Sequence, residues 1–515
     1  MAIPERDPGL SRRAALHLAA TGGVGLVAGG PPPACGADPA AAAASGTVAA
    51  NEAWFAERAW ALSGNKVLAS DGPPTASRAR RIEKPRSAAE IADLVKTLPA
   101  TTPLAVVCGG HESSNAATLA SREAIVLDLG HLKSIEFHAD GAGTLVTVGA
   151  GVVFRELVAA VKEQHGALPV GTGPGVGVVG YLVNGGLSGY FSRRLGLLGQ
   201  RVERMTVVTP AGDVRVVTAG DQLLTAMLGA GSALAIVVDV TLRLAPESVV
   251  RGAEQRVFGF ETRQQAVDFS RGALRFLRDH ALPDESVSME LVVSGPKALV
   301  VTVVFYDSFT GDTAAFIKPL EDLAAGRRLP LLATSHHGSW YETAAALWPV
   351  INGIKGHPLA TLQHCVGTKG PPADAVLDFI ADTLVARAPL DEAVLSLVEM
   401  RTLGGAAQSG PRLPTGNCHH AFFVDLVVMY DARGKTGAER QAIVDITRDV
   451  IDRARAVEGL SVDFSGTHSQ PDDVDRTAVA AVIFGTEALA ESVRALKRRF
   501  DPDNRLRFHP FAKFL

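Results

Sequence analysis

The sequence predicts an α+β protein in two principal parts. In the first, short strands and helices alternate; in the second, an antiparallel sheet is covered by helices on one face. Three observations carry this. Apolar residues switch between helical and strand periodicity up to the β-branched run Ile236 to Leu244, Pro246 breaks the pattern, and the strand-like runs beyond it lengthen. With 515 residues, 47% of them hydrophobic, the chain is long enough for two cores.

The elements follow in order. Ser87-Ala88-Ala89-Glu90 has the form of a capping box and opens a helix with Ile91, Leu94, Val95 and Leu98 on one face. Leu104 to Val107 is a short buried strand, Ile125 to Leu129 and Leu145 to Val148 are further strands, and Phe154, Leu157, Val158 and Val161 mark the next helix. Met205 to Val208 and Val214 to Val217 flank the turn Pro210-Ala211-Gly212-Asp213, a hairpin signal. Beyond Pro246, Ser286 to Val293 and Leu299 to Tyr306 form a longer hairpin around Ser294-Gly295-Pro296-Lys297. Helices are expected at Ala373 to Arg387 and Ala438 to Val457, and strands at Val394 to Met400 and Ala421 to Tyr430. A last helix, Ala488 to Phe500, is stopped by Asp501-Pro502.

The N-terminus reads as a targeting segment. Ser11-Arg12-Arg13 precedes a mildly apolar run from Ala14 to Gly30, then Pro31-Pro32-Pro33 and the alanine tract Ala40 to Ala44, a pattern similar to a twin-arginine export signal. The run is short, Gly-rich and interrupted by His17, so no stable membrane span is expected. The expected divisions are residues 1–45, 46–248, 249–460 and 461–515. A net charge of −4 without a basic stripe argues against nucleic acid as a partner. Of four cysteines, Cys35 leaves with the leader, Cys108 lies between the strand and the glycine turn, and Cys365 and Cys418 are open to pairing in an exported protein. No Cys-x-x-Cys or His-rich spacing suggests a metal.

Two glycine loops carry the chemistry. Val107 to Asn115 reads VCGGHESSN, and Gly171 to Gly189 reads GTGPGVGVVGYLVNGGLSG. Glycines let backbone N–H groups approach a pyrophosphate with no side chain between. A neutral imidazole such as His111 can add to the methyl carbon of a flavin's benzenoid ring. The pair therefore reads as a grip on a flavin dinucleotide. Gly175, Gly177 and Gly180 also satisfy the nicotinamide fingerprint G-x-G-x-x-G. That reading needs a strand before and a helix after, and with Pro169 and Pro174 ahead and Asn184, Gly185, Gly186 and Gly189 behind, no helix is expected there.

At these residues the chain resembles the berberine bridge enzyme-like oxidases of the vanillyl-alcohol oxidase superfamily, with their PCMH-type FAD domain. Gly109-Gly110-His111 is similar to the family's flavin-attachment motif, and Gly171 to Gly186 to its second loop. Gly229 to Val237 resembles its later glycine-rich segment, Leu403-Gly404-Gly405-Ala406 a Gly-Gly turn of the substrate domain, and Lys497 to Phe508 the tail that returns to the flavin domain. The resemblance implies FAD held by Cys108, Gly109, Gly110, His111, Glu112, Ser113, Ser114 and Asn115 in the first loop. In the second it implies Gly171, Thr172, Gly173, Val176, Gly177, Gly180, Asn184, Gly185 and Gly186, with Ile236, Val237 and His509 beyond. Many members bond flavin through a second-loop cysteine as well; Gly173 stands there, which implies a single bond through His111. Val107 replaces a common arginine, and Asn115, Asn184 and Ala235 replace common glycines.

Asp425 interrupts the apolar run Ala421 to Tyr430, and desolvation there should raise its pKa toward a general base's range. It falls where relatives carry a Glu or Gln facing the flavin. His420, just before the strand, and Tyr430, at its end, complete the expected catalytic set; Glu399 reads as part of a solvated face. Tyrosines that relatives place near Val462 to Ser465 and Ile483-Phe484 are missing. The expected function is an exported FAD-dependent oxidase taking a hydride from a C–H of an alcohol- or sugar-like molecule or natural product, with oxygen as acceptor. A dehydrogenase passing electrons to a quinone or protein, and a lapsed flavin- or substrate-binding protein, are the alternatives.

Overall fold

The computed structural model describes residues 50–59, 62–63, 74–112, 114–250, 252–279, 287–295, 299–306, 314–348, 351, 359–387, 395–433, 435–465 and 476–515. The expected export leader falls within residues 1–49, which lie outside the described residues, as does Ser113. Among the described residues no helix is long and apolar enough to cross a membrane.

Among the described residues the first half holds two main sheets and a two-stranded pair, Gly166–Ala167 with Ala245–Pro246. Arg81–Glu83, Ile125–Asp128 and Leu104–Val107 form a small parallel sheet with Ile125–Asp128 in the centre. Ile135–Ala139, Thr144–Gly149, Ile236–Arg243, Val202–Val208 and Val214–Thr218 form an antiparallel one. Helix Ala88–Thr97 starts at Ser87, whose hydroxyl accepts from the Glu90 N–H at 3.1 Å. The Glu90 carboxylate accepts from Arg86 N at 2.8 Å rather than from Ser87, so the box is offset by one residue.

The second half is built on a nine-stranded sheet. Its order is Leu62–Ser63, Leu359–Thr368, Phe422–Asp431, Leu395–Thr402, Val287–Gly295, Leu299–Tyr306, Gly252–Gly259 and Leu331–His337, with Ser461–Val462 added beside Leu359–Thr368. One face packs on helices Arg263–Asp279, Asp374–Phe379 and Gly437–Arg455 through Ala266, Leu274, Val376, Leu377, Ile443 and Val450. The expected helix over 373–387 is α-helical only to Phe379 and continues as a π turn through Ile380–Val385. Leu359–Thr368 escapes the sequence patterns because it is buried on both faces and shows no polar alternation.

Helix Gly437–Arg455 opens with a complete capping box. Thr436 Oγ1 accepts from Glu439 N at 3.3 Å, and Glu439 Oε2 accepts from Thr436 N at 2.7 Å. Thr436→Ala is expected to lower unfolding free energy by about 1 kcal/mol, read from denaturant midpoints at unchanged slope.

The C-terminal segment closes back on the first half. Lys497 Nζ donates to Ala233 O at 2.8 Å and to Asp501 at 2.6 Å. The Arg505 guanidinium reaches Pro210 O at 2.6 Å, and Leu104 N donates to Arg505 O at 2.8 Å. Val493, Leu496, Leu506 and Phe511 join the first half's core.

Candidate functional site

The strand Leu104–Val107 delivers the chain into the first glycine loop, which lies backbone to backbone against the second. A Cβ on Gly109 would stand 2.4 Å from Gly177 N, and one on Gly177 2.6 Å from Gly109 N. Gly110 has φ +73°, and a Cβ there would fall 1.9 Å from Arg58 O. Arg58 is fixed in turn: its Nε donates to Asp128 at 2.9 Å, and Trp54 Nε1 donates to the same carboxylate at 2.8 Å.

His111 sits where the loops converge. A Cβ on Gly173 would be 3.5 Å from its Nε2, so the residue at the place of the second-loop cysteine is a neighbour of the imidazole. Asn115, standing for a glycine, is fully buried with φ +51°, a left-handed conformation that Asn tolerates better than most side chains. Its Nδ2 is 3.2 Å from Thr118 Oγ1. Glu112 Oε2 accepts from Ala116 N at 2.8 Å. Burial, and then the nearby Asp128 charge, push the Cys108 thiol up to about 12, so it is no nucleophile.

The second loop differs from expectation at one point. A helix does start there, Val178–Leu182, directly after Gly177. It is little more than a turn, and the strand ahead, Gly166–Ala167, pairs antiparallel with Ala245–Pro246, so no βαβ unit forms and the nicotinamide reading still fails. Gly171 is seated against Phe154 and Tyr181, while Thr172 is half-buried beside it. Val176 O accepts from Phe154 N at 3.0 Å. A Cβ on Gly180 would meet nothing within 4 Å. Asn184 Nδ2 donates to Gly180 O at 2.7 Å, and Gly185 and Gly186 follow with φ +94° and +73°. Ile236 and Val237 begin their strand fully buried in the core beneath.

His509 lies against Gly231, where a Cβ would be 2.1 Å from its Nε2, and Gly231 N donates to Val183 O, beside Asn184. Burial pushes its imidazole down to about 3, with Lys497 adding to the effect, so it is neutral.

The two loops are locked together at Gly109 and Gly177, and of the glycines at 109, 173, 175 and 177 only Gly175 leaves its missing-Cβ side open for a flavin dinucleotide to approach. Around it, Ser114 Oγ, Tyr181 OH and Asn184 Oδ1 are buried polar atoms without a hydrogen-bond partner among the described residues. Such groups call for a ligand's donors and acceptors. The residues present fit FAD.

The face of the nine-stranded sheet opposite its helices carries the candidate catalytic wall. Residues paired across an antiparallel ladder share a face. Asp425 pairs with Cys365 on one side and Glu399 on the other, which groups Gln363, Cys365, Phe423, Asp425, Val427, Glu399 and Arg401 together. Asp425 is buried, and its Oδ2 accepts from Gln363 Nε2 at 2.8 Å. Burial raises its pKa to about 6, opposed first by Arg401 and then by the Gln363 bond.

Tyr430 corrects the sequence reading. Its number differs from 425 by an odd count, so it points to the helix side, where it is fully buried with Val424, Leu426 and Val428. It does not share a face with Asp425. Glu399 is a second correction: it is no solvated face but a largely buried carboxylate ion-paired with Arg401. His420 does join the wall. Its ring stacks on Phe464 at 3.6 Å, and Phe464 meets Phe423 edge-on at 5.4 Å. Nδ1 donates to Gly416 O at 2.7 Å, which leaves Nε2 as a buried acceptor with no partner among the described residues. Burial pushes this imidazole down to about 4. Cys365 and Cys418 are free thiols, not a disulfide.

Arg401 and Gln363 escaped the sequence reading. The alternation of Glu399 and Arg401 in an apolar strand was the available signal for the first; nothing marked Gln363. Arg401 also bridges the halves, since a Cβ on Gly189 would be 2.5 Å from its Nε. Arg193 Nη1 donates to Leu403 O at 2.8 Å, and Thr415 packs on Gly185. This sheet face thus faces the second glycine loop.

Residues 79–218 match the FAD binding domain family. An FAD-linked oxidoreductase of Aspergillus terreus is 34% identical over 172 residues, 33% of this chain and 34% of that one. The (R)-6-hydroxynicotine oxidase of Paenarthrobacter nicotinovorans is 34% identical over 143 residues, 27% of this chain and 30% of its own. The chain thus matches about a third of the length of these curated relatives. Among solved structures, a BBE-like protein of Arabidopsis thaliana superposes with a TM-score of 0.70 at 15% identity, covering 88% of this chain and 95% of its own. A glucooligosaccharide oxidase of Acremonium strictum, described with a 6-S-cysteinyl, 8α-N1-histidyl FAD, gives 0.68 at 16%, covering 86% and 97%. Residues 79–218 thus resemble an FAD binding domain, set within a fold of mixed helix and sheet. The likeness to the BBE-like protein and the glucooligosaccharide oxidase extends over most of the chain and is one of fold.

Proposed function

We propose that the protein is an exported FAD-dependent oxidase acting on a C–H of an alcohol- or sugar-like small molecule or related natural product. The observation that carries this reading is Asp425, a buried carboxylate on the sheet face turned toward the second glycine loop. FAD, when bound, supplies the hydride acceptor, with oxygen as the final oxidant. Asp425, ionised above pH of about 6, removes the substrate's proton. Gln363 holds one of its oxygens and so fixes its orientation. His420, neutral and with its tautomer set by Gly416 O, accepts a hydrogen bond from a substrate hydroxyl through Nε2. The stacked Phe464 and the edge of Phe423 keep water from this wall.

His111 is the attachment point for the cofactor, and the glycine at 173 limits attachment to that one bond. Export rests on Ser11-Arg12-Arg13 and the run behind it; a covalently held cofactor would stay with the folded chain through such a route. The reading is tested by adding sugars, alcohols and phenols anaerobically and following loss of flavin absorbance, then readmitting oxygen and measuring peroxide. Persistent colour with every compound sinks it, while bleaching followed by slow recovery in air favours a quinone- or protein-coupled dehydrogenase.

His111→Ala is expected to give protein whose flavin is released into the supernatant by acid precipitation, whereas the parent keeps its colour in the pellet. Intact-mass measurement reads the same difference as the presence or absence of one FAD mass. Acid-releasable flavin in the parent would contradict the bond.

A further inference from the structure

Glu399 stands directly across the ladder from Asp425, the two being register partners on one face. Opposed carboxylates repel, and neither is free to turn to water: the Glu399 side chain is 14% exposed and Asp425 5%. What holds them there is Arg401. It lies two residues along the same strand and face, ion-pairs Glu399, and sits over the Phe423 ring at 5.5 Å. Its guanidinium stem is pressed on the backbone of Gly189 from the flavin-binding half.

Resting on the reading of Asp425 as the base, we propose that Glu399 and Arg401 are a positioning pair that sets how tightly Asp425 holds its proton. Glu399 strengthens that grip, Arg401 restrains it, and the contact of Arg401 with Gly189 ties the setting to the seating of the flavin-binding half on the sheet. The physical basis is ordinary electrostatics in a poorly solvated site. A negative charge opposite Asp425 favours its neutral form, and a positive charge nearby favours the ionised form.

Arg401 acts on both carboxylates. Burial raises Asp425, and Arg401 is the largest influence opposing it. Burial also raises Glu399, with Arg401 pulling it down and Asp425 pushing it up. On the other flanking strand, Cys365 is a neutral thiol, driven far above its usual range by burial. The buried His364 and Asp463, 3.1 Å apart, act on Asp425 with opposite signs. From the flavin-binding half, Tyr181 is kept protonated by burial, with Arg401 working against it. His420 is neutral.

The test is an infrared pH titration of the full-length, flavin-loaded protein labelled with carboxyl-¹³C aspartate. The protonated carboxyl band of Asp425 is identified by its loss in Asp425→Asn. Glu399→Gln, close to isosteric, is expected to weaken proton binding at Asp425 roughly tenfold, and Arg401→Gln to tighten it roughly tenfold. Arg401→Lys should return it to near the parent value. Gly189→Ala, which displaces Arg401 without touching either carboxylate, should move it the way Arg401→Gln does and covers the case in which Arg401→Gln fails to fold. Midpoints that stay within about twofold of the parent, or that move in the same direction in Glu399→Gln and Arg401→Gln, overturn the proposal. The base reading fails separately: an Asp425→Asn protein whose flavin is bleached at the parent rate removes that role whatever the titrations give.

Discussion

Replacing Asp425 with asparagine is expected to slow substrate-driven flavin bleaching by roughly 10²–10⁴-fold, the range for losing a positioned general base, with flavin content unchanged. Asparagine keeps the volume and can still accept from Gln363, so the change isolates the proton acceptor. The parent's rate should rise with pH through about 6, where the Asp425 carboxyl ionises, and then level off. Asp425→Asn should lose this limb. A stability effect of opposite sense accompanies the loss of activity. The folded protein raises the Asp425 pKa, so its contribution to stability is fully present below the unfolded-state value and is lost as pH rises through about 6. Above that pH the carboxylate is a cost. The asparagine variant is therefore expected to be at least as stable as the parent at pH 7.5 and up to about 3 kcal/mol more so, read from denaturant midpoints. A variant that is both slow and markedly less stable would mean that Asp425 is structural.

The wall's geometry explains why only part of it was legible. A carboxylate in the run Phe422 to Tyr430 announces itself by composition, and alternation about it places Phe423 and Val427 on its face. The same alternation puts Tyr430 on the other face; its place at the strand's end, not its parity, had drawn attention to it. Gln363 could not be found, because Leu359–Thr368 is buried on both faces and gives no two-residue pattern. Glu399 looked like a solvent-facing charge, and Arg401 was not singled out, because sequence does not say which sheet face another domain covers. The glycine loops were legible for the opposite reason. Backbone approach demands a particular residue, so Gly109, Gly110 and Gly177 record in one dimension a contact made in three. The helix at Val178 was missed because a single turn between glycines has too few residues to show a period.

That reasoning gives the glycine substitutions a sharp contrast. Gly110→Ala is expected to destabilise the protein by roughly 2–6 kcal/mol, combining a non-glycine residue at positive φ with overpacking. The new methyl carbon would fall 1.9 Å from Arg58 O, a backbone atom that cannot swing aside as a side chain can. Arg58 is also locked to Asp128, which Trp54 shares, so relief at residue 110 displaces the helix segment carrying Trp54 and Arg58. His111 follows directly, and its approach to Gly173 should be lost with the turn. The purified variant is therefore expected to be pale, with a low ratio of flavin to protein absorbance, and to melt well below the parent. Gly175→Ala is the matched control in the facing loop. A Cβ there meets nothing within 4 Å and φ is not positive, so its stability should stay within about 0.5 kcal/mol of the parent. Equal melting temperatures for the two variants would show that the Arg58 carbonyl yields, and that the first loop is held by something other than this close backbone contact.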